Sequence, residues 1–146
     1  MIVCRGGWRQ AEIFRIMEKN SRSLRVLVVD DEPLIRWSLA ETLAHSGHEV
    51  IEAGDAMGAL RTLNNTQESV DVVLLDFRLP DSHDLTLLSL IRRLAPDTSI
   101  ILMTAYGSPE ITEGALQLGA YTVVHKPFEM HDMAALILRA HDERTH

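Results

Sequence analysis

The chain has 146 residues, of which 46% are hydrophobic and 24% charged, values typical of one globular domain. Its net charge of −7 and its 5% of aromatic residues argue against direct nucleic-acid binding, which needs a basic face or stacking rings. No apolar run approaches the ~20 residues that span a bilayer, and the N terminus does not have the pattern of a secretory signal. The single cysteine, Cys4, cannot form an internal disulfide, which fits a reducing cytoplasm.

Residues 1–23 differ from the rest of the chain. Between Trp8 and Asn20 the apolar residues fall loosely on one side of a helix, which fits a short amphipathic helix or a solvated tail. We expect a flexible tail without function, because isolated short helices are marginally stable in water. Met17, shortly before the first apolar run, offers a natural start of translation.

From residue 24 onward, short apolar runs alternate with helical patterns. Strands are predicted at residues 24–29, 48–53, 70–75, 99–103 and 121–125. Helices are predicted at residues 33–47, 55–65, 84–94, 108–118 and 130–140, with Asp55 and Ser108 as N-caps. This alternation predicts an α/β fold, a doubly wound sheet of five parallel strands with helices on both faces.

Two of the predicted strands end on carboxylates. Asp30 and Asp31 follow the first strand, and Asp76 follows the third. Alone, the first pair could simply cap the helix that begins at Pro33. With Asp76, the three side chains should cluster at the carboxyl edge of the sheet, where open α/β folds place their sites. Two charges ~4 Å apart repel by about 4 kcal/mol at an effective dielectric near 20, so the chain must supply a cation, bind one or let a carboxyl group protonate. Oxygen ligands favour Mg²⁺.

Two further strand ends add a hydroxyl and an ammonium at the same edge. The fourth strand ends in Met-Thr-Ala, which contains Thr104, and the fifth is followed by Lys126-Pro127-Phe128. Separately, such residues are usually turn-forming or solvated. Together with the acids and a metal ion, they form a site suited to holding a phosphoryl group.

From residue 24 to about 139, the chain resembles the receiver domain of two-component response regulators. The resemblance rests on the acidic pair, the lone Asp76 after Val-Val-Leu-Leu, the Met-Thr-Ala run and the Lys-Pro-Phe run, in the family's order. It implies a flavodoxin-like sheet with strand order 2-1-3-4-5. It also implies a receiver domain over residues 24–141 with a short tail at 142–146. The segment from Leu102 to Phe128 resembles receivers of the nitrogen-regulator type.

The resemblance implies a role for each acidic residue. Asp76 would be the phosphoacceptor, attacking a phosphohistidine of a sensor histidine kinase or phosphotransfer protein. Asp31, Asp76 and the backbone carbonyl of Arg78 would ligate Mg²⁺ directly, and Asp30 would act mainly through water.

The residues that follow the fourth and fifth strands also have implied roles. Thr104, Ala105 and Lys126 would bind the phosphoryl group, and the Lys126–Pro127 peptide bond would be cis. The switched surface would be the fourth helix, fifth strand and fifth helix. Arg78 and Tyr106 would flank the path of an attacking water and slow dephosphorylation, unless both are merely solvated.

Two positions depart from the family pattern. Val123 stands where an aromatic ring is usual, so the signal should leave the site mainly through Thr104 and the fourth helix. Tyr121, two residues earlier, lies too far along the strand to assume that role. Asp84 stands where glycine is common after the phosphoacceptor, and it could instead cap the third helix.

The partners follow from the resemblance, and two other functions compete with it. We expect a phosphodonor kinase or phosphotransfer protein and an unidentified downstream protein; homodimerisation is open. No DNA-binding domain follows in the sequence, which fits a stand-alone receiver or the receiver of a longer regulator. A haloacid-dehalogenase-like phosphohydrolase would require an Asp-x-Asp motif, which Asp76-Phe77-Arg78 lacks. A pseudo-receiver would lack part of the acceptor set, which is intact here.

Overall fold

The computed structural model describes residues 10, 23–65, 67 and 69–144. The prediction for residues 1–23 therefore lies outside the described residues, apart from Gln10 and Ser23. In the described part, strands and helices alternate: β1 (Arg25–Val29), α1 (Pro33–His45), β2 (Glu49–Ala53), α2 (Ala56–Asn65), β3 (Val72–Asp76), α3 (Thr86–Leu94), β4 (Ser99–Thr104), α4 (Pro109–Gln117), β5 (Thr122–His125) and α5 (Met130–Arg144).

The strands form one parallel sheet in the order β2-β1-β3-β4-β5. The predicted fold class and strand order are therefore confirmed. Every residue of β3 and β4 is buried, which explains why these strands read as continuous apolar runs in the sequence. Because all strands are parallel, their carboxyl ends meet at one edge, where the predicted site lies.

A hydrophobic core covers each face of the sheet, because successive side chains of a strand point to opposite sides. One core combines Leu27 and Leu75 of the sheet with Leu88 of α3 and Ala115 of α4. The other packs alternate strand residues against α1 and α5, with Leu39, Leu43, Met133 and Ile137. In the described residues, no helix has the length and apolarity that a membrane crossing requires.

Most predicted boundaries agree with the structure to within two residues, and α5 is the main exception. This helix continues to Arg144, beyond the predicted end at residue 140 and into the predicted C-terminal tail. The last turn is held from outside the helix: the Tyr121 hydroxyl donates to Glu143 at 2.7 Å, and Arg144 pairs with Asp97 at 3.1 Å. Such contacts between distant segments leave no local pattern in the sequence.

The helix N-termini are capped largely as predicted. The Ser108 hydroxyl accepts a hydrogen bond from the backbone N–H of Ile111 at 3.2 Å, and Asp55 accepts one from Gly58 at 2.7 Å. Asp84 accepts from the backbone N–H of Thr86 at 2.9 Å, but the N-cap position of α3 is Leu85, so Asp84 lies one residue before the cap position that the departure from glycine suggested for it. The Asp55 and Ser108 caps set where α2 and α4 begin after the loops at the carboxyl edge.

Candidate functional site

Three carboxylates converge at the carboxyl edge of the sheet. Asp30 follows β1 and is fully buried, and Asp76 ends the neighbouring β3 with 6% exposure. Oxygens of Asp30, Glu32 and Asp76 lie within 4.8 Å of one another. The backbone N–H of Glu32 donates to Asp30 at 2.9 Å, which turns the chain after β1 towards the cluster.

The ammonium of Lys126 lies among these carboxylates. Its Nζ is 2.9 Å from Asp30, 3.2 Å from Glu32 and 3.3 Å from Asp76. The backbone holds Lys126 in place: its N–H donates to the carbonyl of Thr104 at 2.8 Å, and its peptide bond to Pro127 is cis. Three carboxylates against one ammonium leave an excess of two negative charges, which fits a divalent cation.

Burial and neighbouring charges shift the pKa of two groups in the cluster, Asp76 and Lys126. Burial, followed by the charge of Asp30, raises the pKa of Asp76 from 3.8 to about 6, although Lys126 acts in the opposite direction. Burial disfavours the charged form of Lys126, but its hydrogen bond to Asp30 and the charge of Asp76 outweigh burial and raise its pKa. At neutral pH, Asp76 is therefore mostly ionised and Lys126 is charged.

A cleft of about 400 Å³ opens above the cluster. Its lining includes most of the site residues predicted from the sequence and one that was not predicted: Asp31, Glu32, Asp76, Arg78, Thr104, Ala105, Tyr106 and Lys126. Asp30 lies behind this lining, in the protein interior. The predicted acids, hydroxyl and ammonium are thus brought together at one concave surface.

The hydroxyl of Thr104 lies at the base of this cleft. Thr104 is 1% exposed, and its oxygen accepts a hydrogen bond from the backbone N–H of Tyr106 at 3.0 Å. The Arg78 guanidinium stacks over the Tyr106 ring, 4.6 Å from its centroid, and the ring itself is 63% exposed. The two side chains that were predicted to flank the cleft therefore contact each other across it.

Glu32 is the site residue that the sequence analysis missed. Asp31 lines the cleft but is exposed and does not belong to the tight trio of acids. Glu32 occupies the N-cap position of α1 and makes no side-chain capping bond, so its carboxylate is free to pair with Lys126. Its position directly before Pro33 could have indicated that Glu32 lies near the site. However, an acidic residue at the start of a helix is ordinarily interpreted as a cap. The helix-capping interpretation of Asp30 and Asp31 is wrong for α1.

The structure also locates Val123, which departs from the family pattern, and Tyr121, the nearest aromatic residue before it. Val123 pairs with Leu102 of β4 and packs against the core, so β5 offers no aromatic ring at this position. Tyr121 precedes β5 at the opposite, amino end of the strand, where its hydroxyl bonds Glu143. The ring of Tyr121 is therefore remote from the cleft, as the sequence analysis expected.

A family model described as the response regulator receiver domain matches residues 26–138, which carry the whole site. The chain belongs to the response regulator receiver domain family. Its acidic cluster and the residues that line the cleft all lie within the matched range.

The receiver is similar to both long and short regulators. It is 37% identical over 115 residues to the DNA-binding transcriptional regulator NtrC of Proteus hauseri, which covers 79% of this chain and 24% of that protein. It is 31% identical over 109 residues to the sporulation initiation phosphotransferase F of Bacillus subtilis, with 75% of this chain and 86% of that protein covered. The chain thus spans about a quarter of the length of the NtrC regulators it matches.

A solved receiver has the same fold. The CheY-like response regulator receiver domain protein of Methanospirillum hungatei superimposes with a TM-score of 0.78 at 32% identity. The superposition covers 84% of this chain and 96% of that one. The similarity therefore extends over most of both chains.

Proposed function

We propose that this receiver accepts a phosphoryl group on Asp76 from the phosphohistidine of a histidine kinase or phosphotransfer protein. The main support is that Asp76, ionised at neutral pH, lines the open cleft within 3.3 Å of Lys126. A carboxylate oxygen of Asp76 attacks phosphorus and forms an O–P bond. The P–N bond of the donor breaks, and its electron pair leaves with the imidazole nitrogen.

The excess negative charge of the cluster supports a Mg²⁺ site. Asp31, Asp76 and the backbone carbonyl of Arg78 would hold the ion directly, with Asp30 acting through water and Glu32 close by. Bound there, Mg²⁺ would neutralise part of the charge that the carboxylates and the phosphoryl oxygens bring together.

The other residues of the cleft bind and orient the phosphoryl group. Lys126 exchanges part of its contact with the carboxylates for a phosphoryl oxygen. Thr104 accepts from Tyr106 with its oxygen, so its hydroxyl proton is available to donate to the phosphoryl group. The backbone N–H of Ala105 provides a further donor.

The conformational change caused by the phosphoryl group is transmitted through the loop between β4 and α4. When Thr104 turns towards the phosphoryl oxygen, its bond to the N–H of Tyr106 weakens and the loop shifts. The added charge can switch the protein only through such a difference in contacts between two states. The switched surface comprises α4, β5 and α5. With Val123 on β5 at the usual aromatic position, the switch does not depend on rotation of a ring there, and the signal is transmitted mainly through Thr104 and α4.

The setting of this reaction is also a proposal. The donor is a histidine kinase or phosphotransfer protein in the cytoplasm, and the recipient of the signal is a further protein. The net charge of −7 argues against direct DNA contact by this chain. Homodimerisation stays a prediction, which sedimentation with and without phosphorylation tests.

One experiment separates this function from its rivals. The protein and its Asp76→Asn variant are incubated with Mg²⁺ and a small phosphodonor and weighed intact. We expect one phosphate adduct on the wild type and none on the variant. Rapid turnover of the donor without an adduct would instead indicate a phosphohydrolase, and neither adduct nor turnover would indicate a pseudo-receiver.

A further inference from the structure

The loop between β3 and α3 is tied to a helix that is distant in sequence. At its tip, one carboxylate oxygen of Asp81 accepts a hydrogen bond from the backbone N–H of Ala56 at 2.8 Å. The other oxygen accepts from Met57 at 3.1 Å. Asp81 is otherwise exposed, and it is separated from these partners by 24 and 25 residues.

The contact completes the N-terminus of α2. The first N–H groups of a helix have no partner within the helix, and the helix dipole favours negative charge there. The side chain of Asp55, just before the helix, accepts a hydrogen bond from the N–H of Gly58. Asp81 accepts from the two preceding N–H groups, those of Ala56 and Met57. The hydrogen bond from Ala56 is the largest cause that lowers the pKa of Asp81, so this carboxylate is ionised at neutral pH.

The tip that carries Asp81 is a tight turn. The N–H of Leu79 donates to the carbonyl of Ser82 at 2.8 Å, and the N–H of Ser82 donates back to Leu79 at 3.2 Å. Leu79 itself is buried in the core. Since both residues that flank the turn are hydrogen-bonded to each other, the docking of Asp81 on α2 also restricts Leu79.

Arg78 lies between this anchor and a second one. On its other side, the N–H of Phe77 donates to the carbonyl of Met103 in β4 at 2.8 Å. Arg78 is exposed, lines the cleft and carries the backbone carbonyl assigned above to Mg²⁺. The Asp81 contact therefore decides how freely this short segment moves relative to the acidic cluster.

We propose that Asp81 is a positioning residue of the phosphoacceptor site: by docking the β3–α3 loop on α2, it holds the backbone of Arg78 at the acidic cluster. The inference rests on the proposed function, which assigns the Arg78 carbonyl to Mg²⁺. It adds a residue outside the cleft and makes α2 part of the support of the site.

Asp84 provides a matched control in the same loop. It is also exposed and acidic, and it also bonds a helix start, through the N–H of Thr86 at 2.9 Å. However, this hydrogen bond is made to its own helix, α3. Asp81→Ala and Asp84→Ala each remove one negative charge and a hydrogen-bond acceptor at a helix start. The Asp81 change removes two such bonds and the Asp84 change one, so Asp81→Ala should lower the free energy of unfolding somewhat more.

The test measures Mg²⁺ affinity by titration calorimetry and stability by denaturant unfolding. We expect Asp81→Ala to weaken Mg²⁺ binding by about tenfold, as typical for residues that support a metal ligand, and Asp84→Ala by less than about twofold. Asp81→Asn keeps one acceptor oxygen and should fall between wild type and Asp81→Ala. Hydrogen exchange at Ala56 and Met57 should accelerate only in the Asp81 variants.

Mg²⁺ binding by the wild type tests the proposed function, and the difference between the two alanine variants tests the role of Asp81. If wild type binds Mg²⁺ and the two alanine variants bind it equally well, Asp81 is only a helix cap and the inference is wrong. If wild type binds no Mg²⁺, the proposed function fails, and the inference fails with it. Slow exchange of the two amides in Asp81→Ala would show that the docking contact does not exist in solution, which also overturns it.

Discussion

The ammonium of Lys126 lies closer to Asp30 than to Asp76, at 2.9 Å against 3.3 Å. Asp30 is fully buried, so Lys126 is the counter-ion of an interior carboxylate before any phosphoryl group arrives. It is also the residue expected to bind that group. The same cation thus stabilises the resting protein and serves the reaction, which gives its replacement two measurable effects.

Replacement of Lys126 by methionine should disturb both stability and ionisation. Asp30 would lose its hydrogen-bonded cation, at a cost of about 2 kcal/mol in the free energy of unfolding at pH 7. The pKa of Asp76 should rise above about 6, because Lys126 lowers it in the wild type. Denaturant unfolding and carboxyl NMR titration measure the two effects. Lys126→Arg keeps the charge and should retain most of the stability, and an unchanged Asp76 pKa in the methionine variant would contradict this prediction.

The raised pKa of Asp76 predicts a pH dependence of stability. Between the unfolded value of 3.8 and the folded value of about 6, the folded protein binds the additional proton. The stability contributed by this group is therefore fully present below pH 3.8 and is lost as the pH rises through 6. The loss amounts to about 3 kcal/mol at neutral pH, since each unit of pKa difference corresponds to about 1.4 kcal/mol.

Asp76→Asn removes this titration. In metal-free buffer, its free energy of unfolding relative to wild type should increase by about 2 kcal/mol from pH 4 to pH 7. Addition of Mg²⁺ at pH 7 should narrow the difference, because it stabilises the wild type selectively. If the free energies of unfolding of the two proteins change in parallel from pH 4 to pH 7, the pKa of Asp76 is not raised in the folded protein.

Asp31 and Glu32 should contribute unequally to Mg²⁺ binding. Within the described residues, Asp31 has no ion-pair partner, whereas Glu32 is paired with Lys126. One charge ~4 Å from a divalent ion contributes about 2 kcal/mol in water, so Asp31→Asn should weaken binding about thirtyfold. Glu32→Gln should weaken it by less than about fivefold, since its pair is exposed. If titration calorimetry shows that both variants lose the same Mg²⁺ affinity, Glu32 contributes to Mg²⁺ binding as much as Asp31 does.

The stack of Arg78 on Tyr106 should prolong the lifetime of the aspartyl phosphate. An exposed cation–π contact contributes about 0.5–1 kcal/mol, so its loss in Tyr106→Ala should accelerate self-dephosphorylation about two- to fivefold. Tyr106→Phe keeps the ring and is the control. Decay is followed by intact mass after removal of the phosphodonor. An unchanged rate in the alanine variant would mean that the ring does not hinder the attacking water.

Gly107 leaves the space that the ring of His125 occupies. A Cβ atom at residue 107 would lie 1.9 Å from Nε2 of His125, so an alanine there must displace the imidazole. We expect Gly107→Ala to cost about 1 kcal/mol, a low value for overpacking because His125 is exposed and can rotate outward. His125→Ala should remove most of this cost in the double variant. A cost that persists in that background would indicate backbone strain instead.

The sequence alone predicted the elements whose patterns are local. The buried runs of β3 and β4 and the caps at Asp55 and Ser108 each depend on a few consecutive residues. The parallel sheet follows from their alternation with helices, and parallel strands bring Asp30, Asp76 and Lys126 to one edge. Thus the residues that converge at this edge could be predicted almost completely, with Glu32 as the omission.

Only the tertiary structure decided how these groups are paired. That Lys126 prefers Asp30, that Arg78 stacks on Tyr106 and that Asp81 caps α2 depend on distances between segments remote in sequence. The end of α5 has the same origin, since Glu143 and Arg144 are held by residues outside that helix. A local pattern specifies which helix or strand forms and at which end of it the functional side chains lie. Contacts between elements depend on side-chain packing across the whole fold, and no short stretch of sequence records them.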